Sequence, residues 1–106
     1  MAKKILHLTL KKKPFDLIAQ DKKKIEYRKV KPYWTNRLFD GFRPISHKRI
    51  PKVFDEIWFR NGYKKDCPFM RIVCKEIREK TSWFQGELCY SIKLGKILEL
   101  KCQTTK

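Results

Sequence analysis

Negative charge is scarce in this chain: 11 Asp and Glu stand against 27 Lys and Arg, a formal net charge of +16 on 106 residues. A compact domain so unbalanced repels itself, which argues for a polyanionic partner. Long apolar runs are missing as well, and none approaches the roughly 18 residues that a membrane-spanning helix needs. Residues 5–10 form a short apolar stretch, but Lys11-Lys12-Lys13 follows where a leader peptide would carry small cleavage-site residues. The expectation is a cytosolic protein that does not engage a membrane. Four cysteines (Cys67, Cys74, Cys89 and Cys102) include no Cys-x-x-Cys pair, and only His7 and His47 accompany them. Zinc-ligand spacing is therefore absent, and reduced thiols with no metal or cofactor are expected. No repeat and no Ser/Gly-rich linker divides the chain, so residues 1–106 read as one domain, taken as a monomer.

What the chain has in quantity is cations interleaved with rings: Tyr27, Tyr33, Trp34, Phe42, Trp58, Tyr63 and Trp83. Single-stranded nucleic acid is held by that combination, with charge for the backbone and flat faces for the bases. Each phosphate neutralised also releases a condensed counterion. Disorder is excluded because the apolar residues recur in ordered patterns.

Residues 5–10 alternate, with Leu6, Leu8 and Leu10 on one face, and read as a half-buried strand. Pro14 suits the first position of a short helix carrying Phe15, Leu17, Ile18 and Ala19. Residues 24–30 alternate again, with Ile25 and Tyr27 opposite a charged face of Lys24, Glu26 and Arg28. Residues 32–38 read as a turn into a second short helix. Residues 40–52 carry Gly41, Pro44 and Pro51 and no periodicity, so they read as a basic loop containing Arg43, His47, Lys48, Arg49 and Lys52. A strand over 53–60 runs into Asn61-Gly62, a strong hairpin signal. A long strand follows over 69–78, with Trp83 and Phe84 in a connection. The last strand covers 89–100, with Tyr90, Ile92 and Leu94 inward and Gly95 at a bend or bulge. The fold class is α+β, a curved or closed sheet with two small helices near the start.

The stretch from Phe15 through Asp21-Lys22-Lys23-Lys24-Ile25-Glu26-Tyr27-Arg28 resembles the signature of the ASCH (activating signal cointegrator homology) family. That signature is a short helix followed by G-x-K-x-x-E-x-R running into a strand. Lys23, Glu26 and Arg28 match it, and Asp21 replaces the Gly. Lys31-Pro32-Tyr33-Trp34, Phe59-Arg60-Asn61-Gly62-Tyr63 and Ile92-Lys93-Leu94-Gly95-Lys96-Ile97-Leu98-Glu99 extend the likeness over nearly the whole chain, to small bacterial or phage-type members.

The resemblance implies a PUA-like β-barrel of five to six mostly antiparallel strands, with a cleft beside the signature suited to RNA or a modified nucleobase. The expected site has Lys23, Glu26 and Arg28 at its centre with Lys24 beside them. Tyr33, Trp34, Arg37, Arg60, Tyr63, Lys64 and Lys65 are its rim. A carboxylate between cations accepts from a base edge or fixes an Arg for phosphate. The same residues also suit an ion-pair lattice across an exposed strand. One branch of the family hydrolyses N4-acetylcytidine through a K-T-I-T-I-R motif. Here Lys23 keeps the Lys, but Lys24 and Glu26 occupy the two Thr positions, so the hydroxyl nucleophile is missing, and no clear replacement for the downstream acid exists beyond Glu87, a candidate by position alone. A metal-independent ribonuclease, with Lys23 and Glu26 catalytic, is a second enzymatic alternative. A module that docks on an acidic protein surface is the third reading.

Overall fold

Alternating leucines begin the sheet. In the computed structural model, which describes residues 2–42, 44–45, 48–84 and 86–101, β1 (Ile5–Thr9) buries Leu6 and Leu8 and turns His7 and Thr9 outward. It runs parallel to β5 (Glu56–Arg60), with Leu6 opposite Ile57 and His7 opposite Trp58. β5 pairs antiparallel with β6 (Phe69–Phe84), β6 with β7 (Glu87–Lys101), and β7 with β2 (Ile25–Lys29). The order β1-β5-β6-β7-β2 is a curled, mixed five-stranded sheet, a half-barrel whose two outer strands are β1 and β2. Two helices complete the α+β fold, α1 (Lys12–Ala19) between those two strands and α2 (Pro32–Leu38) after β2. Among the described residues no helix is long and apolar enough to cross a membrane.

Phe15 and Ile18, one turn apart on α1, join Leu6, Ile57, Phe59, Met70, Ile92 and Tyr90 in a single core. Pro14 is the third helical residue, not the first. The first-turn N–H groups have no partner within the helix, so its missing donor costs nothing there. The helix ends with Asp21 N–H donating to Ile18 O (3.0 Å) and Lys22 N–H to Leu17 O (2.9 Å). That reciprocal pair requires a left-handed residue, and Asp21 takes it (φ 61°). The position where the ASCH-type signature carries Gly is therefore a genuine left-handed turn, filled here by a residue that tolerates it. Asp21→Gly is expected to stabilise the fold by up to about 1 kcal/mol, read as a higher thermal midpoint.

Residues 40–52 are not simply a loop. β3 (Phe39–Phe42) and β4 (Arg49–Pro51) form a separate two-stranded antiparallel sheet, with Phe39 opposite Pro51. Arg43, His47 and Cys102 lie outside the described residues. Asn61-Gly62 does not make a two-residue hairpin either. Only Gly62 takes a positive φ (116°), and β5 and β6 are joined across residues 61–68, closed by Asn61 N–H donating to Pro68 O (3.0 Å). Trp83 and Phe84 belong to β6, because pairing with β7 continues to Phe84 opposite Glu87.

Gly95 does sit at an irregularity. Ile72 faces Ile97 while Cys74 faces Leu94, so β7 carries one residue too many around Gly95 and Lys96. A Cβ on Gly95 would stand 3.1 Å from Val73 Cβ, tighter than most packed side chains show, so Val73 would have to give way. A compensating bulge on β6 at Lys75 flips the following alternation, which turns Ile77 inward and Glu76 outward.

The outer face of β5 carries a buried carboxylate. Glu56, 2% exposed, accepts from Lys3 Nζ (2.8 Å), Trp58 Nε1 (3.0 Å) and Arg71 Nη1 (2.7 Å), and Arg71 Nε donates to Glu99 (2.9 Å). The bonds from Lys3, Trp58 and Arg71 hold its pKa at about 2 against the opposing effect of burial. A carboxylate depressed on folding contributes stability above its unfolded pKa and loses it as pH falls toward the folded value. The urea midpoint is expected to fall between about pH 4.5 and pH 2, with a shallower fall in Glu56→Gln.

Candidate functional site

β1 and β2 do not pair, and the gap between them opens into a cleft of about 1090 Å³. Thr9 to Lys11 and the first turn of α1 form one wall. Lys23, β2, Lys31 and Trp34 form another, and residues 61–63, Glu87 and Cys89 complete it. Six of the lining side chains are cationic (Lys11, Lys13, Lys23, Arg28, Lys29 and Lys31) and two are acidic (Glu26 and Glu87).

Glu26 and Arg28 of β2 lie opposite the buried Ile92 and Tyr90 of β7, so the charged face of the strand is the inner one. The alternative of an ion-pair lattice on an exposed strand face does not describe β2: Glu26 is buried, and Ile25 on the other face is exposed. The Glu26 side chain is only 6% exposed and each of its oxygens meets one cation. Lys23 Nζ donates to Oε1 and Arg28 Nη2 approaches Oε2, both at 2.8 Å. Two charge-assisted contacts at that distance hold the carboxylate in a fixed orientation. The left-handed turn at Asp21 is what brings Lys23 back over the strand, with Lys23 N–H also bonded to Leu17 O (3.2 Å).

The Arg28 guanidinium lies 5.0 Å from the Trp34 ring, and its Nη2 also reaches Thr9 O at 3.4 Å. Burial lowers its pKa and the Glu26 charge opposes that; an arginine stays protonated throughout. Arg37, on α2, donates to His7 O at 3.3 Å and lies 5.6 Å from the Tyr33 ring and 5.9 Å from that of Trp34. Thus two arginines bridge from the β2–α2 side to alternate carbonyls of the edge strand β1, groups that would otherwise invite pairing with another chain. Among the described residues, Arg28 Nε and Arg37 Nε are buried with no hydrogen-bond partner.

Of the residues expected at the site, Lys23, Glu26, Arg28, Trp34 and Tyr63 come together in the cleft, Tyr63 as a 93% exposed ring at its edge. Lys24 does not join them. Its side chain is 69% exposed, lies outside the cleft lining and approaches Asp21 at 3.9 Å. Tyr33 stands just outside, 60% exposed and edge-on to Trp34 (4.8 Å). Arg60 lies on the outer face over the Phe69 ring (4.8 Å), and Lys64 and Lys65 are exposed in the 61–68 connection, away from the cleft wall.

Sequence reasoning missed Lys11, Lys13 and Asn61. The two lysines flank the start of α1, and Asn61 Nδ2 donates to Leu10 O (2.9 Å), which fixes the wall opposite β2. The signal for the lysines was their place beside Pro14, next to the signature helix. Glu87 lines the cleft, tied to Lys29 at 2.9 Å. Cys89 is buried there with its thiol pKa raised by burial, and burial pushes Cys74 to about 11. Among the described residues no three His, Cys, Asp or Glu side chains gather as a metal site would require.

Comparison of the chain with protein-family models, with curated proteins and with solved structures finds no match.

Proposed function

We propose that the chain binds single-stranded nucleic acid, RNA in the first instance, in the cleft between β1 and β2, and that it is a PUA-like, ASCH-type domain. The observation that carries this reading is the convergence of Lys23, Glu26 and Arg28 beside Trp34 inside a cleft with an excess of cations. Lys11, Lys13 and Lys31 supply charge for a phosphate chain along the rim. Tyr63 supplies an open face for a base and the half-buried Trp34 a second one beside Arg28, while Glu26 holds Lys23 and Arg28 in place to meet phosphate. Hydrolysis of acetylcytidine has less support, since Lys24 and Glu26 stand at the two Thr positions and Lys24 lies outside the cleft.

Anisotropy titration of a labelled single-stranded RNA oligonucleotide tests the reading. Trp34→Ala, with an unchanged far-UV spectrum, is expected to weaken binding by about 5- to 150-fold, the equivalent of one stacked base at 1–3 kcal/mol. Wild-type affinity in that variant, or a wild type that does not bind, contradicts it.

A further inference from the structure

A line of rings and guanidinium groups leaves the cleft and continues over the outer face of the sheet. Tyr33 meets the cleft-lining Trp34, and Arg37 lies 5.6 Å from the Tyr33 ring while donating to the backbone of His7. The exposed His7 then stands edge-to-face with Trp58 (5.3 Å), Trp58 with Phe69 (5.4 Å), and Arg60 lies over Phe69 (4.8 Å). Strand register explains the continuity: His7 faces Trp58 across β1 and β5, and Arg60 faces Phe69 across β5 and β6. These positions all lie on the face opposite the core.

We propose that this line is a second stacking site, over which a single-stranded polynucleotide continues once it leaves the cleft. The inference rests on the cleft reading above and extends it from a pocket to a path. Three features support that occupant. The line starts at the mouth of the cleft. It carries a cation at each end, Arg37 and Arg60, spaced by rings, as a chain alternating phosphates and bases requires. Its nearest acid, Glu56, is already neutralised by Lys3 and Arg71, so the face does not repel a polyanion. Trp58 and Phe69 are half-buried, so part of each side chain remains open to solvent.

The test compares a trinucleotide with a decanucleotide of the same single-stranded RNA, on wild type and on His7→Ala/Arg60→Ala. Both altered side chains are exposed, so the fold is kept. The variant is expected to bind the trinucleotide as wild type does and the decanucleotide at least about 5-fold more weakly. Equal decanucleotide affinity in variant and wild type overturns the path and leaves the cleft reading standing. Equal loss for both lengths also overturns it, because the two residues would then act through the cleft. Absence of trinucleotide binding by wild type defeats the cleft reading, and the path falls with it.

Discussion

Glu26→Ala is expected to destabilise the fold by about 3–5 kcal/mol, toward the upper end of that range. The carboxylate is nearly inaccessible and holds Lys23 and Arg28 at 2.8 Å each, both themselves mostly buried. Removing it strands two like charges in the same partly desolvated wall, where each had traded water for the carboxylate. β2 is an edge strand and owes its place to β7 on one side only, so it has little other support to absorb the loss. Glu26→Gln, which keeps an acceptor, is expected to lose less. Urea denaturation measures both, and a loss below about 1 kcal/mol for Glu26→Ala would class the cluster as a solvated surface lattice.

The second large effect is on salt dependence. Within the cleft, Glu26 engages Lys23 and Arg28, and Glu87 engages Lys29. Among the described residues no carboxylate pairs with Lys11, Lys13 or Lys31, which leaves those three to meet phosphate, with the Arg28 fork as a fourth donor. Three to four contacts at about −0.7 each give a log–log slope of about −2 to −3. A fourfold rise in salt then weakens binding roughly 20- to 50-fold. Lys11→Ala/Lys13→Ala is expected to flatten the slope by about 1.4 and to leave Trp34 stacking untouched.

Parts of this architecture were legible because they repeat over a few residues. Leu6 and Leu8 announce β1, and Tyr90, Ile92 and Leu94 announce the inner face of β7; all five are buried. Gly95 marked its bulge because a strand interior gains nothing from glycine unless something lies too close, and Val73 does. The convergence of Lys23, Glu26 and Arg28 followed from one helix, one turn and one strand, all local in sequence.

Other features depend on partners far along the chain. Alternation over residues 24–30 shows that one face is charged but not which face is inside. The apolar Ile25–Tyr27 side suggests itself as the core, yet register with Ile92 and Tyr90 turns Glu26 and Arg28 inward. An open half-barrel permits that, since the inner face near β2 borders the cleft. Among the described residues β3 and β4 register through Phe39 with Pro51 and Phe42 with Arg49, with an irregularity between the pairs, which leaves no periodic trace. The polar run before Trp83 concealed the end of β6, whose strand character comes from pairing with Glu87 to Cys89. Lys11 and Lys13 carry no site signal of their own in the sequence, and it is α1 that places them against the cleft.

The most direct measurement is a backbone amide NMR titration of the protein with a single-stranded RNA trinucleotide. Shifts concentrated at Lys11, Lys13, Lys23, Glu26, Arg28 and Trp34 are the predicted result. Shifts scattered over exposed lysines such as Lys24, Lys64 and Lys65, with the cleft unmoved, would contradict the account.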